Sequence, residues 1–266
     1  MISPTEKQRN RDAVLFHLNA IKSSGVDYIT VSGQTLQNET AEKNLPDPAG
    51  IKTDDQDEDS APPAATACVP VARDLSAINT LEDLNKAIAG CQNCALCKER
   101  KNVVFGQGNP RAALMFVGEG PGADEDMQGL AFVGAAGQLL TKIIAGMGLS
   151  REEVYIANVV KCRPPQNRNP FDDEIAACLP ILKRQIQIVS PKVIMCLGKI
   201  AAQTLLETQI SISRLRGQFK EIGDIKVMPS FHPAYLLRNP AMKRPMWEDC
   251  KLVMKELGST LNHDGG

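Results

Sequence analysis

Four short, mainly apolar runs are spaced along residues 113–228, separated by stretches with helical spacing. The runs are Ala113-Leu114-Met115-Phe116-Val117, Val154-Tyr155-Ile156, Lys192-Val193-Ile194-Met195-Cys196-Leu197 and Ile225-Lys226-Val227-Met228. Runs dominated by apolar residues, rather than alternating, belong to strands buried on both faces. Between and after them lie helical segments: 137–147, with Leu139, Leu140, Ile143 and Ile144 on one face; 170–189, with Asn169 as cap and Pro170 at the first position; one ending at Leu206; and 246–257. Strands alternating with helices predict an α/β protein, a three-layer α/β/α sandwich with a central four-stranded, mainly parallel sheet. Chemistry in such a fold sits beyond the carboxyl ends of the strands.

This pattern does not cover the whole chain of 266 residues. Thr80-Leu81-Glu82-Asp83 resembles a capping box opening a short helix that stops at Gly90, so the compact domain is expected over 75–266. Residues 1–74 are different material. A short amphipathic helix is expected near 3–23, with Val14, Leu15, Leu18 and Ile21 at helical spacing. An acidic, Pro/Ala-rich linker follows, containing Asp54-Asp55-Gln56-Asp57-Glu58-Asp59. It buries too little apolar surface to offset its ordering entropy and is expected to be disordered, with the first helix as a docking element for a protein partner. Charge divides the same way. Residues 1–72 hold 6 basic and 11 acidic residues, and residues 73–266 hold 24 and 20. A mild basic surplus permits nucleic-acid binding without arguing for it.

With 43% hydrophobic and 23% charged residues, the composition excludes collagenous, coiled-coil and wholly disordered chains. No run of 18 apolar residues suggests a membrane span, and the N-terminus lacks a signal peptide, so a cytoplasmic location is expected. Eight cysteines in that compartment point to metal, redox or buried thiols rather than disulfides.

Several segments could carry chemistry. Gly118-Glu119-Gly120-Pro121-Gly122 follows the first strand, where glycines bring backbone N–H groups close to an oxygen-rich ligand. No phosphate-loop lysine is present, no helix is expected directly after Gly122, and Asp124-Glu125-Asp126 would repel a phosphate. Asn158 ends the second strand, and its amide offers a donor and an acceptor suited to a base edge. His232, in Phe231-His232-Pro233-Ala234-Tyr235, follows the fourth strand. Cys91-x-x-Cys94, with Cys97 three residues on, precedes the first strand, while Cys162 and Cys178 follow the second. Thiolates so spaced suit zinc or an iron–sulfur cluster; Cys97, Cys196 and Cys250 also read as small buried hydrophobes.

Taken in order, Val117-Gly118-Glu119-Gly120-Pro121-Gly122, Gly134-Ala135-Ala136-Gly137-Gln138-Leu139-Leu140, Asn158-Val159-Val160-Lys161-Cys162-Arg163-Pro164-Pro165 and His232-Pro233-Ala234-Tyr235-Leu236-Leu237-Arg238 strongly resemble family 4 uracil-DNA glycosylases over about residues 84–258. The resemblance implies the uracil-DNA glycosylase fold and a monomeric base-excision-repair enzyme that hydrolyses the N-glycosidic bond of deoxyuridine in single- or double-stranded DNA. It implies a [4Fe–4S] cluster on Cys91, Cys94, Cys162 and Cys178, with Cys97 a bystander. It places the uracil-stacking aromatic at Phe132, the base-reading amide at Asn158, a glycine-loop donor at Gly120, the catalytic histidine at His232, and the acids at Glu119 and Glu125. Leu236, Leu237 and Arg238 fall on the segment that enters the DNA stack. A related subgroup that traps its product covalently carries a histidine-containing insertion before the fourth strand. Arg214-Leu215-Arg216-Gly217-Gln218-Phe219 has neither the histidine nor the insertion. Two other readings stay open on sequence grounds: a non-catalytic iron–sulfur nucleic-acid-binding relative, and an electron-transfer module.

Overall fold

The structure, a computed structural model, describes residues 75–261; the expected N-terminal helix, the linker and Cys68 lie outside them. Six strands form one sheet: β1 (Gln107–Gly108), β2 (Leu114–Gly118), β3 (Tyr155–Asn158), β4 (Val193–Leu197), β5 (Lys220–Ile222) and β6 (Ile225–Ser230), in the order β1-β3-β2-β4-β6-β5. The four expected strands make its parallel centre. The two additions are antiparallel edges, β1 on β3 and β5 on β6. Neither edge had a readable period. β1 is two residues long, and all three residues of β5 are exposed.

The central strands bury both faces, and each face has its own helices. Met115, Val117, Tyr155, Ala157, Ile194 and Cys196 pack with α1 (Leu81–Ile88), α4 (Asp172–Val189) and α5 (Lys199–Leu206). Leu114, Phe116, Ile156, Met195 and Met228 pack with α3 (Ala135–Gly146), α7 (Pro233–Arg238) and α8 (Lys243–Leu261), and Ile212 of the short α6 (Ile212–Leu215) packs against the same core. Strict alternation along β2 follows from the two-residue period of a strand. The expected three layers are therefore present. The polypeptide passes from β2 to β3 on one side and then to β4 on the other, so the crevice beside the β2 carboxyl end is the switch point of the sheet.

Two helix starts differ from expectation. α2 (Ala123–Gln128) opens directly after Gly122, where no helix was expected. Asp124, Glu125 and Asp126 occupy its first turn, where carboxylates favour a helix N-terminus. α4 begins at Asp172 rather than Pro170, and the Glu174 carboxylate reaches back to the Phe171 N–H at 2.8 Å. α1 matches its expected cap: Thr80 Oγ1 accepts from the Asp83 N–H at 3.1 Å.

Candidate active site and cysteine chamber

A cleft of about 390 Å³ opens at the carboxyl ends of β2, β3 and β6, bordered by Glu119, Gly120, Glu125, Phe132, Asn158, His232 and Arg238. The structure thus gathers there every residue expected to catalyse or to hold the base. Gly118 and Asn158 are register partners across β2 and β3. A Cβ on Gly118 would collide with the Asn158 Oδ1 and the Phe132 ring, so only glycine lets both lie against the end of β2. Asn158 is 1% exposed, and its Oδ1 is the one buried side-chain polar atom among the described residues without a hydrogen-bond partner. An acceptor left so costs about 1–3 kcal/mol, which marks it as held ready for a donor that the protein does not supply.

Phe132 is held under strain. Its φ of 53° is rare for a bulky residue and costs roughly 1–3 kcal/mol. Clamps on both sides hold it there. Arg151 Nη2 and Gln107 Nε2 donate to the Ala131 carbonyl at 2.7 and 3.2 Å. The Glu125 carboxylate accepts from the N–H groups of Val133 (2.8 Å), Gly134 (2.9 Å) and Gly122 (3.1 Å). Gly137 completes the arrangement, because a Cβ there would overlap the Phe132 carbonyl. Both Glu125 oxygens are thereby committed to backbone. Among the described residues no hydrogen bond or ion pair engages the Glu119 carboxylate, and burial raises its pKa.

His232 caps α7. Its Nδ1 accepts from the Ala234 N–H at 3.1 Å, so the ring proton resides on Nε2. Burial, aided by Arg238 and opposed by Glu125, lowers its pKa to about 4. The ring is therefore a neutral N–H donor at physiological pH. Its centroid lies 5.7 Å from that of Phe132.

The structure corrects one assignment. Leu236 is 1% exposed and packs in the core with Leu140 and Ile144, so it cannot enter a DNA stack. Leu237, one residue round the helix, is 45% exposed, and Arg238 borders the cleft. Neighbouring residues of a helix face different directions, and Pro233 and Leu236 share the buried face. Sequence reasoning missed Arg168, Asn167, Asn169 and Tyr235 as cleft residues. The first three sit on a loop without periodicity. Tyr235 was visible within its motif, though nothing separated it from its neighbours.

Beside the cleft, Cys91, Cys94, Cys97, Cys162 and Cys178 border one tight space, of about 10 Å³, with Ile88, Val103 and Ile181. Burial pushes the Cys94 thiol up to about 11 and the Cys178 thiol up to about 12, and raises that of Cys162. Two sulfurs already accept hydrogen bonds at 3.3 Å, Cys162 from Arg100 Nη1 and Cys178 from the Lys161 N–H. Lys161 itself is 1% exposed and donates from Nζ to the Asn158 carbonyl (2.7 Å) and Gln185 Oε1 (2.6 Å). Gathered thiols with cationic and N–H groups beside them fit a group bound by several thiolates. Among the described residues no three Cys, His or carboxylate side chains are disposed to hold a single metal ion. Cys97 borders the same space. Cys196 and Cys250 are fully buried in the two cores.

Residues 105–251 match the uracil DNA glycosylase superfamily. Type-4 uracil-DNA glycosylases similar to this chain occur in Sulfurisphaera tokodaii (45% identical over 193 residues, 69% of this chain and 87% of the relative). Others occur in Archaeoglobus fulgidus (43% over 184 residues, 66% and 92%) and Thermotoga maritima (46% over 173 residues, 64% and 90%). Together with a cleft at the switch point and an unpartnered amide oxygen beside a strained aromatic, these matches show that the chain belongs to the type-4 uracil-DNA glycosylases.

Proposed function

We propose that the cleft takes up a deoxyuridine extruded from DNA and hydrolyses its N-glycosidic bond, releasing uracil and leaving an abasic site. The partnerless Asn158 Oδ1 carries this reading. Uracil N3–H donates to that oxygen, and the amide nitrogen donates to O4. Cytosine presents an acceptor at N3 and a donor at C4, the reverse pattern, so a fixed amide rejects it. Extrusion costs a few kcal/mol, and Phe132 returns roughly 1–3 kcal/mol by stacking on the base. Leu237 fills the gap in the stack, with Arg238 beside it.

As the bond breaks, the sugar gains positive charge and uracil leaves as an anion. His232 Nε2–H, with N–H groups of the Gly120 loop, stabilises the charge developing on O2. Glu119, whose carboxylate is uncommitted, orients the attacking water and balances the sugar cation. Glu125 contributes by fixing Phe132 rather than by touching water.

Cys91, Cys94, Cys162 and Cys178 would hold a [4Fe–4S] cluster. Bound there, it would tie residues 91–94 to 162–178, and the hydrolysis needs no electrons from it. An electron-transfer module would have no use for the cleft. We read the enzyme as a cytoplasmic monomer that engages a protein partner through residues 1–74.

The test is incubation with single- and double-stranded oligonucleotides carrying one uracil, without added metal or nucleotide, followed by alkaline cleavage. Breaks are expected at uracil alone. His232→Ala should slow single-turnover excision by about 10²–10³, the usual cost of one lost oxyanion donor, while DNA affinity stays near wild type. Equal losses in rate and affinity would remove His232 from the transition state.

A further inference from the structure

Phe171 is 56% exposed, and the Arg168 side chain that borders the cleft lies over its ring. It occupies the N-cap of α4, a position that favours Ser, Thr, Asp or Asn. Phenylalanine has no acceptor to offer there, and Glu174 satisfies the Phe171 N–H instead. Neither capping nor core packing accounts for the aromatic ring.

Its surroundings hold it in place. The Arg168 guanidinium carbon lies 3.7 Å from the ring centroid. Arg168 is fixed in turn by two bonds to Glu174, at 2.7 and 2.9 Å, and the Glu174 side chain is 1% exposed. The same Arg168 borders the cleft together with Asn167 and Asn169. One ring face is therefore covered by a cation that itself reaches the cleft, while much of the residue stays open to solvent. An aromatic already restricted in its motion loses little entropy when a second flat group lies on it.

We propose that Phe171 is a stacking platform for the nucleobase flanking the extruded uridine in single-stranded DNA, with Arg168 backing the ring. This rests on the reading of the cleft as the uracil site. Bases of a single strand are free to stack on protein aromatics, whereas those of a duplex are already stacked on one another.

The experiment measures Kd for a single-stranded oligonucleotide carrying a non-cleavable 2′-fluoro-deoxyuridine. Companion strands replace the base on its 5′ or its 3′ side with an abasic analogue. Phe171→Ala should weaken binding to the complete strand by about fivefold or more, the lower end of the loss of one base-stacking aromatic. That loss should vanish on one of the two abasic-flanked strands, shrink on the duplex, and be reversed by Phe171→Trp. The same loss on both abasic-flanked strands, no loss on the complete strand, or an equal loss on duplex would overturn the platform. Wild-type excision from the cleavable strand separates the two levels. Without it the cleft reading fails, and with it a missing coupling defeats only the platform.

Discussion

Asn158 and Lys161 lie three residues apart, and each is 1% exposed, yet the cleft and the cysteine chamber treat them oppositely. On the cleft side, the Asn158 Oδ1 has no partner. On the chamber side, the Lys161 ammonium has two oxygen acceptors, and Gln185 continues the network to the Phe105 carbonyl at 2.8 Å and the Tyr155 hydroxyl at 3.1 Å. A buried polar group left open costs stability and is kept where a ligand will close it. A fully connected network gives the fold a single arrangement. The contrast shows which half of this segment was shaped by binding and which by folding.

The largest expected effects test that division directly. Cys162→Ser and Cys178→Ser should lose iron, brown colour and soluble protein together, because the chamber ties distant segments. Cys97→Ser should keep all three, and iron loss there with iron retained in Cys91→Ser would overturn the ligand set. Lys161→Met should also lower Tm, since it strands the Asn158 carbonyl and Gln185 as unpaired buried acceptors, about 1–3 kcal/mol each. Asn158→Ala should do the reverse. It removes an unsatisfied acceptor, so Tm should stay at or above wild type while uracil excision falls by about 10²–10³, in line with the loss of a pocket hydrogen-bonding group. A variant of Asn158 that unfolds without losing activity would dissolve the distinction.

The next effect lies within α7. Leu236→Ala should cost about 2–5 kcal/mol of stability, as for other buried leucines, with DNA affinity per folded molecule unchanged. Leu237→Ala should leave Tm within about 0.5 kcal/mol of wild type and slow excision from duplex more than from single strands, which need no gap filled. Thermal melts and excision rates on both substrates decide between the two residues. Swapped phenotypes would mean that the helix is rotated in the complex.

This pair also shows where the sequence stops being legible. The four central strands are legible because each is dominated by apolar residues, and the motif residues Glu119, Phe132, Asn158 and His232 are placed because strand ends in such a sheet share one edge. Leu236 and Leu237 are chemically alike, and only the phase of a six-residue helix separates them. That phase is set by packing on α3, which a sequence of this length does not fix. Glu125 was read as acid chemistry because its charge is visible, whereas its role depends on three N–H groups from two loops. The start of α2 is hidden for a related reason: Asp124, Glu125 and Asp126 signal repulsion of a phosphate as readily as the first turn of a helix.

The smallest expected effect is a pH slope that belongs to the cleft alone. In the unfolded chain His232 takes up a proton near pH 6.5, but in the fold burial and Arg238 lower its pKa to about 4. Between those values the unfolded state binds more protons than the folded one, so stability rises with pH in this window. The contribution of His232 is complete above about pH 6.5, declines as pH falls towards 4, and levels off below that. His232→Gln should flatten Tm against pH between 6.5 and 4 relative to wild type, with the two curves parallel above 7. Activity should show the same protection. The imidazole stays neutral at pH 5.5, so the acid limb of kcat/KM belongs first to Glu119, whose pKa burial raises, and Glu119→Gln should remove that limb. A limb centred near 6.5 that disappears in His232→Gln would mean the imidazole is solvated and titrates freely, and the cleft would then lack the neutral donor on which its chemistry depends.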